Sequence, residues 1–246
     1  MYHASRAPVV EPITAIGVLG AALASYLLAA ALAPRDWALV AAQLALAAVP
    51  AGMMSILRPE RPLAALGLRG ARPRFFVAAI AIGATAWYLN LWLAAALPLP
   101  EQQVHELEAL VDRPPLGRAL AMFALLPAVC EEILFRGVLA RSLGRSTSLI
   151  VATLVSAVVF SAYHLSLVQA LPTLSLGALL AVLAIRADSI APTMVAHAIN
   201  NALAIVLSRG ELPGVADWLG QHPPVALAGC ATATLLGIGI AVRGST

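Results

Sequence analysis

Uncharged apolar runs of roughly 20 residues, separated by short clusters of charge and proline, recur along the whole chain. A hydrocarbon core of about 30 Å takes about 20 apolar residues per helix, so each run predicts one crossing. The first is Ile13 to Ala33, closed by Pro34-Arg35-Asp36. The second is Trp37 to Leu57, with Trp37 at the position an aromatic belt favours. An Arg- and Pro-rich connector, Arg58 to Arg74, leads to a third span from Phe75 to Leu97. A polar, acidic stretch from Pro100 to Arg118 follows, and Leu116 to about Ala140 is the fourth span. Ser146 to Ile185 then carries no charged residue, which is too long for one crossing and right for a helical hairpin turning around His164 to Pro172. This gives span five, Leu149 to about Leu165, and span six, Leu167 to Ile185. Span seven, Ser189 to Ser208, opens on Asp188 or Ser189 as N-cap with Pro192 in its first turn, and Pro224 to Val242 is the eighth.

Composition agrees with an all-α, polytopic integral membrane protein. Of the 246 residues 61% are hydrophobic and 11% charged, where a soluble domain carries about 25% charged residues; the mean hydropathy is +0.90. The net charge of +3 has a topological meaning, because cytoplasmic loops hold the excess of Arg. Eight alternating spans place Arg6, Arg58, Arg61, Arg69, Arg72, Arg74, Arg141, Arg145, Arg186 and Arg243 on one side, and Arg35, Arg113, Arg118 and Arg209 on the other. Both termini are therefore expected in the cytoplasm. The N-terminal segment lacks a short apolar region with a small-residue cleavage site, so the first run reads as a retained span. Every basic residue is Arg and none is Lys, which with the Ala content suggests a GC-rich bacterial genome and hence a bacterial plasma (inner) membrane. No nucleic-acid footprint is present. Cys130 and Cys230 lie far apart in apolar runs and suggest no disulfide framework.

The fourth span breaks the apolar rule. It contains Cys130-Glu131-Glu132-Ile133-Leu134-Phe135-Arg136-Gly137, and a charged side chain at bilayer depth costs roughly 2.5–3.5 kcal/mol. Such groups must pair, be neutralised, or face a wet cavity. Glu132 and Arg136 are i,i+4 and can pair along one face; Glu131 lies about 100° round the helix and is left for chemistry. Two of the five histidines also fall in spans. His164 follows Phe160 by four residues, and Asn201 follows His197 by four. A carboxylate, two imidazoles and a carboxamide from three helices are an inventory for activating a water and binding an oxyanion. Alone, each set has a plainer reading: a packed or hydrogen-bonded His, a structural ion-pair network, or a transporter's proton relay. Phe160 by itself reads as packing between helices, and His105 and His222 as solvated loop residues.

Taken in order, Glu-Glu-x-x-x-Arg at 131–136, Phe-x-x-x-His at 160–164 and His-x-x-x-Asn at 197–201 resemble the three motifs of the CPBP family of intramembrane proteases. That family includes the CaaX prenyl-protein endopeptidases and bacterial bacteriocin-processing or self-immunity (ABI) proteins. The resemblance covers about Leu116 to Ser208. It implies that Glu131 and His197 activate water, that His164 and Asn201 form the oxyanion hole, and that Glu132, Arg136 and Phe160 support the site. It divides the chain into N-terminal helices with an Arg-rich cytoplasmic loop (1–115), a catalytic helical core (116–208) and a C-terminal helix (209–246). The implied partners are the lipid bilayer and a membrane-associated protein or peptide substrate. No cofactor is expected; zinc held by Glu131, His164 and His197 is the alternative, although the chain has no His-Glu-x-x-His helix. The rival functions are a proton-coupled carrier and a non-catalytic immunity or scaffold protein. One mismatch remains: counting about 1.5 Å per residue, Glu131 and His197 lie about 10–15 Å from the cytoplasmic ends and His164 over 20 Å.

Overall fold

The computed structural model describes residues 9–243 apart from Leu97 and Leu99; Arg6 and the expected end of span three at Leu97 lie outside the described residues. The charge-bounded runs become helices α1 (Pro12–Leu32), α2 (Ala38–Leu57) and α3 (Pro73–Ala95). After these come α4 (Glu101–Asp112) and α5, a continuous helical run over 116–146. The remainder are α6 (Leu149–Tyr163), α7 (Leu167–Ala187), α8 (Ala191–Ser208), α9 (Pro213–Gln221) and α10 (Pro223–Val242). No strand occurs among the described residues. Six helices, α1, α2, α3, α7, α8 and α10, are long and apolar enough to cross a membrane; α2 gains one turn from Arg35–Trp37. The other two expected spans take different forms. α5 is long but contains two π-helical stretches, and α6, at 15 residues, is only about 22 Å long.

Three expectations are corrected in detail. The hairpin turns at 164–166, earlier than its expected end, with Leu165 in the left-handed region at φ 49°. Pro172 lies inside α7 rather than in the turn. The N-cap of α8 is Ile190, because Asp188 itself adopts φ 51° to end α7; Ser189 still serves the helix, its hydroxyl accepting from the Ala191 amide at 3.2 Å. The acidic stretch after span three folds as the amphipathic α4.

α5 is the axis of the bundle. From Cys130 to Ser142 every residue is buried, charged side chains included, which is the pattern of a helix enclosed on all sides. Its enclosing neighbours are α1, α2, α6, α7 and α8. Two widened π turns, Leu120–Leu125 and Glu132–Ala140, flank Glu131. The first has a local cause. Pro127 has no amide hydrogen, so the carbonyl four residues back, on Phe123, loses its helical partner, and the Leu126 amide reaches Ala121 instead. Such π turns are frequent at functional sites.

The loops assigned to one side of the bilayer do meet at one end of the bundle. Asp188 accepts from Arg69 at 3.2 Å, Arg141 at 3.1 Å and Arg145 at 2.9 Å, joining the 58–74, 141–147 and 186–188 connections. Arg58 reaches the Val9 carbonyl and Arg186 the Val242 carbonyl, so the two described ends lie there too. At the other end Arg209 holds the carbonyls of Val111, Asp112 and Pro114, tying α8 to α4. The loops joined by these contacts group as the charge count expects.

Close helix approach fixes α8 against α3. A Cβ on Gly83 would stand 2.5 Å from the Ala196 carbonyl oxygen, next to His197, and small residues permit such contacts in membrane bundles. Gly83→Ala should therefore destabilise the protein by roughly 1–3 kcal/mol. The check is thermal unfolding in detergent followed with a thiol-reactive dye, which reads exposure of the buried Cys130.

Candidate functional site

Glu131 and Glu132 are neighbours on α5, and both are buried, at 3% and 0% exposure. Their partners differ. Glu132 Oε1 lies 3.2 Å from Arg136 Nη1, the expected i,i+4 pair. The same oxygen is 2.9 Å from His197 Nδ1. A carboxylate oxygen accepts, so His197 Nδ1 carries the proton it donates, and in the neutral ring Nε2 is left with a lone pair. That Nε2 faces Glu131 Oε2 at 4.0 Å, a separation beyond a direct hydrogen bond and suited to a bridging water. Glu131 Oε2 is buried with no hydrogen-bond partner among the described residues. Its other oxygen, Oε1, accepts from Gln43 Nε2 of α2 at 2.9 Å.

Arg136 is held in place on two further sides. Its guanidinium lies 4.0 Å over the Phe160 ring, a cation–π contact made stronger by burial, and Nη2 donates to the Gly177 carbonyl at 3.5 Å. Phe160 also packs edge-on against Phe135, with centroids 5.1 Å apart, and its centroid is 6.1 Å from that of His197. The third motif's α8 turns Thr193, Ala196, His197 and Asn200 inward.

The structure brings Glu131, Glu132, Arg136, Phe160 and His197 together. His164 and Asn201 stand further out. His164 ends α6, one turn beyond Phe160, with its ring against Phe160 at 4.9 Å and Tyr163 at 5.1 Å. The depth mismatch noted in the sequence is thus a feature of the fold, since it is Phe160 that lies level with His197. His164 Nδ1 is 2.9 Å from the Phe160 carbonyl, an acceptor, so this ring too is protonated at Nδ1. Asn201 gives one amide hydrogen to the Phe123 carbonyl at 3.1 Å, the acceptor freed by Pro127, and its own oxygen accepts from Asn200. No hydrogen bond joins His164 to Glu131, His197 or Asn201 among the described residues.

Two polar residues escaped the sequence reading. Asn200 is more buried than Asn201, at 6% exposure, and its neighbouring position hid it. Gln43 is the one amide in the apolar α2, and that isolation was the available signal. As a metal set, Glu131, His164 and His197 fit poorly: among the described residues no three His, Cys, Asp or Glu side chains gather closely enough to hold an ion.

Residues 115–203 match a family model described as type II CAAX prenyl endopeptidase, Rce1-like. That stretch contains α5 to the middle of α8 and every motif residue from Glu131 to Asn201. The match supports the CPBP kinship suggested by the three motifs and, with it, a membrane-embedded protease of that general type. No curated protein and no solved structure matches the chain.

Proposed function

We propose that this protein is an intramembrane endopeptidase that hydrolyses a peptide bond in a membrane-associated protein or peptide, in the course of its C-terminal processing, sorting or maturation. The observation that carries the reading is the buried pair of acceptors, Glu131 Oε2 and His197 Nε2, 4.0 Å apart. One water donating to both would present an oxygen lone pair for attack; Glu131 would take its proton as the bond to carbon forms and return it to the peptide nitrogen as the C–N bond breaks. Glu132 fixes the His197 tautomer and Arg136 neutralises Glu132, so these two support the reaction without touching the substrate.

Oxyanion binding falls to His164 and Asn201. Asn201 retains one amide hydrogen after donating to Phe123. His164, with its Nδ1 proton held by the Phe160 carbonyl, would turn Nε2 towards the oxyanion. Because the donor set does not converge on an ion, we place no metal in this mechanism. Preincubation with a chelator such as 1,10-phenanthroline should leave cleavage within about twofold of the untreated rate, whereas a catalytic zinc would make it fall with metal loss.

An Arg-only, Ala-rich chain suits a bacterial inner membrane, where a membrane-tethered peptide or protein is a better substrate than a prenylated one. The test compares membrane-protein termini by mass spectrometry between cells carrying the wild type and cells carrying Glu131→Gln at equal expression. Defined termini should disappear in the mutant, and they name the substrate. Matching profiles would overturn the protease reading and leave the carrier or the scaffold.

A further inference from the structure

α2 lies outside the matched stretch 115–203, yet it supplies a side chain to the site. Apart from Gln43 and Ser55 it contains only apolar residues. Ser55 returns its hydroxyl to its own helix, on the Ala51 carbonyl at 2.9 Å. Gln43 is buried, at 3% exposure. A carboxamide in an apolar span is unfavourable without a partner, and the partner here is Glu131 Oε1, 2.9 Å from the Gln43 Nε2 that donates to it.

We propose that Gln43 is a positioning residue that fixes which oxygen of Glu131 does the chemistry. The inference rests on the protease reading above. A glutamate's terminal torsion is broad and two-fold, so rotation exchanges its two oxygens unless something distinguishes them. Gln43 Nε2 can only donate, and it commits Oε1. Oε2 is left as the oxygen that faces His197 Nε2 at 4.0 Å. Two helices outside each other's sequence neighbourhood thus define one carboxylate: α5 carries it, and α2 sets its plane. α2, outside the matched stretch, completes the site.

The test uses the full-length protein in lipid nanodiscs and a quenched-fluorescent peptide spanning the cleavage site that the termini comparison identifies. Gln43→Met keeps the side chain's length and removes the donor. It should lower kcat roughly ten- to hundredfold and leave KM within about threefold, with a lower thermal midpoint, since the buried Glu131 Oε1 loses its donor. Gln43→Leu is the second donor-free variant and is read in the same way if the first fails to fold. A kcat within about twofold of wild type in a folded variant overturns the inference, as does a loss carried by KM with kcat unchanged. Glu131→Gln is measured alongside. If it is inactive while Gln43→Met behaves as wild type, only the role of Gln43 falls. If it retains full activity, the catalytic role of Glu131 falls and this inference with it.

Discussion

Purified Glu131→Gln should fold as the wild type does and cleave at least about 10³-fold more slowly. The amide has nearly the same shape as the carboxylate, and it can still meet Gln43 Nε2 with its oxygen, so the 2.9 Å contact to α2 survives the change. What is lost is an oxygen able to take a proton from water. Glu131 is the carboxylate suited to this role because Arg136 and His197 both engage Glu132 instead. Single-turnover cleavage, compared with thermal unfolding of the same sample, checks the prediction. Slow chemistry with an unchanged thermal midpoint is the expected pair of results. Equal loss of both would make Glu131 a structural residue.

The division between the two carboxylates was only half legible in the sequence. Spacing gave the Glu132–Arg136 pair, since i,i+4 neighbours on a helix meet whatever the tertiary fold. It could not give the bond between Glu132 and His197, which are 65 positions apart, or that between Gln43 and Glu131, 88 apart. Both depend on which faces α5, α2 and α8 turn towards each other, and the widened turns beside Glu131 alter the register that a regular helix would give. Pro127 shows the same limit. Its presence in an apolar run was visible, but the consequence, a Phe123 carbonyl offered to Asn201, needed the neighbouring helix.

Span boundaries were most legible where charge, expelled from the hydrocarbon, marks them; the uncharged turn at 164–166 was placed less closely. Asp188, one of two N-cap candidates by sequence, ends the preceding helix instead. Its side chain serves Arg69, Arg141 and Arg145 across three loops, and that demand outweighs the local capping preference. α4 was read as a polar stretch because its few apolar residues, Val104, Leu107, Leu110 and Val111, are spaced for a helix surface and too sparse for a span. His164 carried the right motif, but α6 ends there, so the residue that reaches His197 is Phe160.

The largest effect on stability should come from Arg136→Met. Arg136 and Glu132 are both completely buried, and removing one partner of a buried pair leaves an uncompensated charge, at a cost of about 3–5 kcal/mol. Removal of the guanidinium also strips the Phe160 face of its cation and the Gly177 carbonyl of its donor, so the loss should lie towards the upper end of that range. Adding Glu132→Gln removes the orphaned charge, and the double variant should regain most of the lost stability, because a buried pair replaced as a unit is often close to neutral. Activity should behave differently. A neutral amide can accept from His197 Nδ1 or donate to it and so no longer fixes the tautomer that leaves Nε2 free, and cleavage by the double variant should stay roughly 10–100-fold below wild type. Thermal unfolding of the two single variants and the double variant forms a complete cycle, and cleavage measured on the same four proteins separates the two effects. Recovery of stability without recovery of rate is the result expected if the pair both holds α5 to α6 and α7 and sets the state of His197. Recovery of both would reduce the pair to a brace.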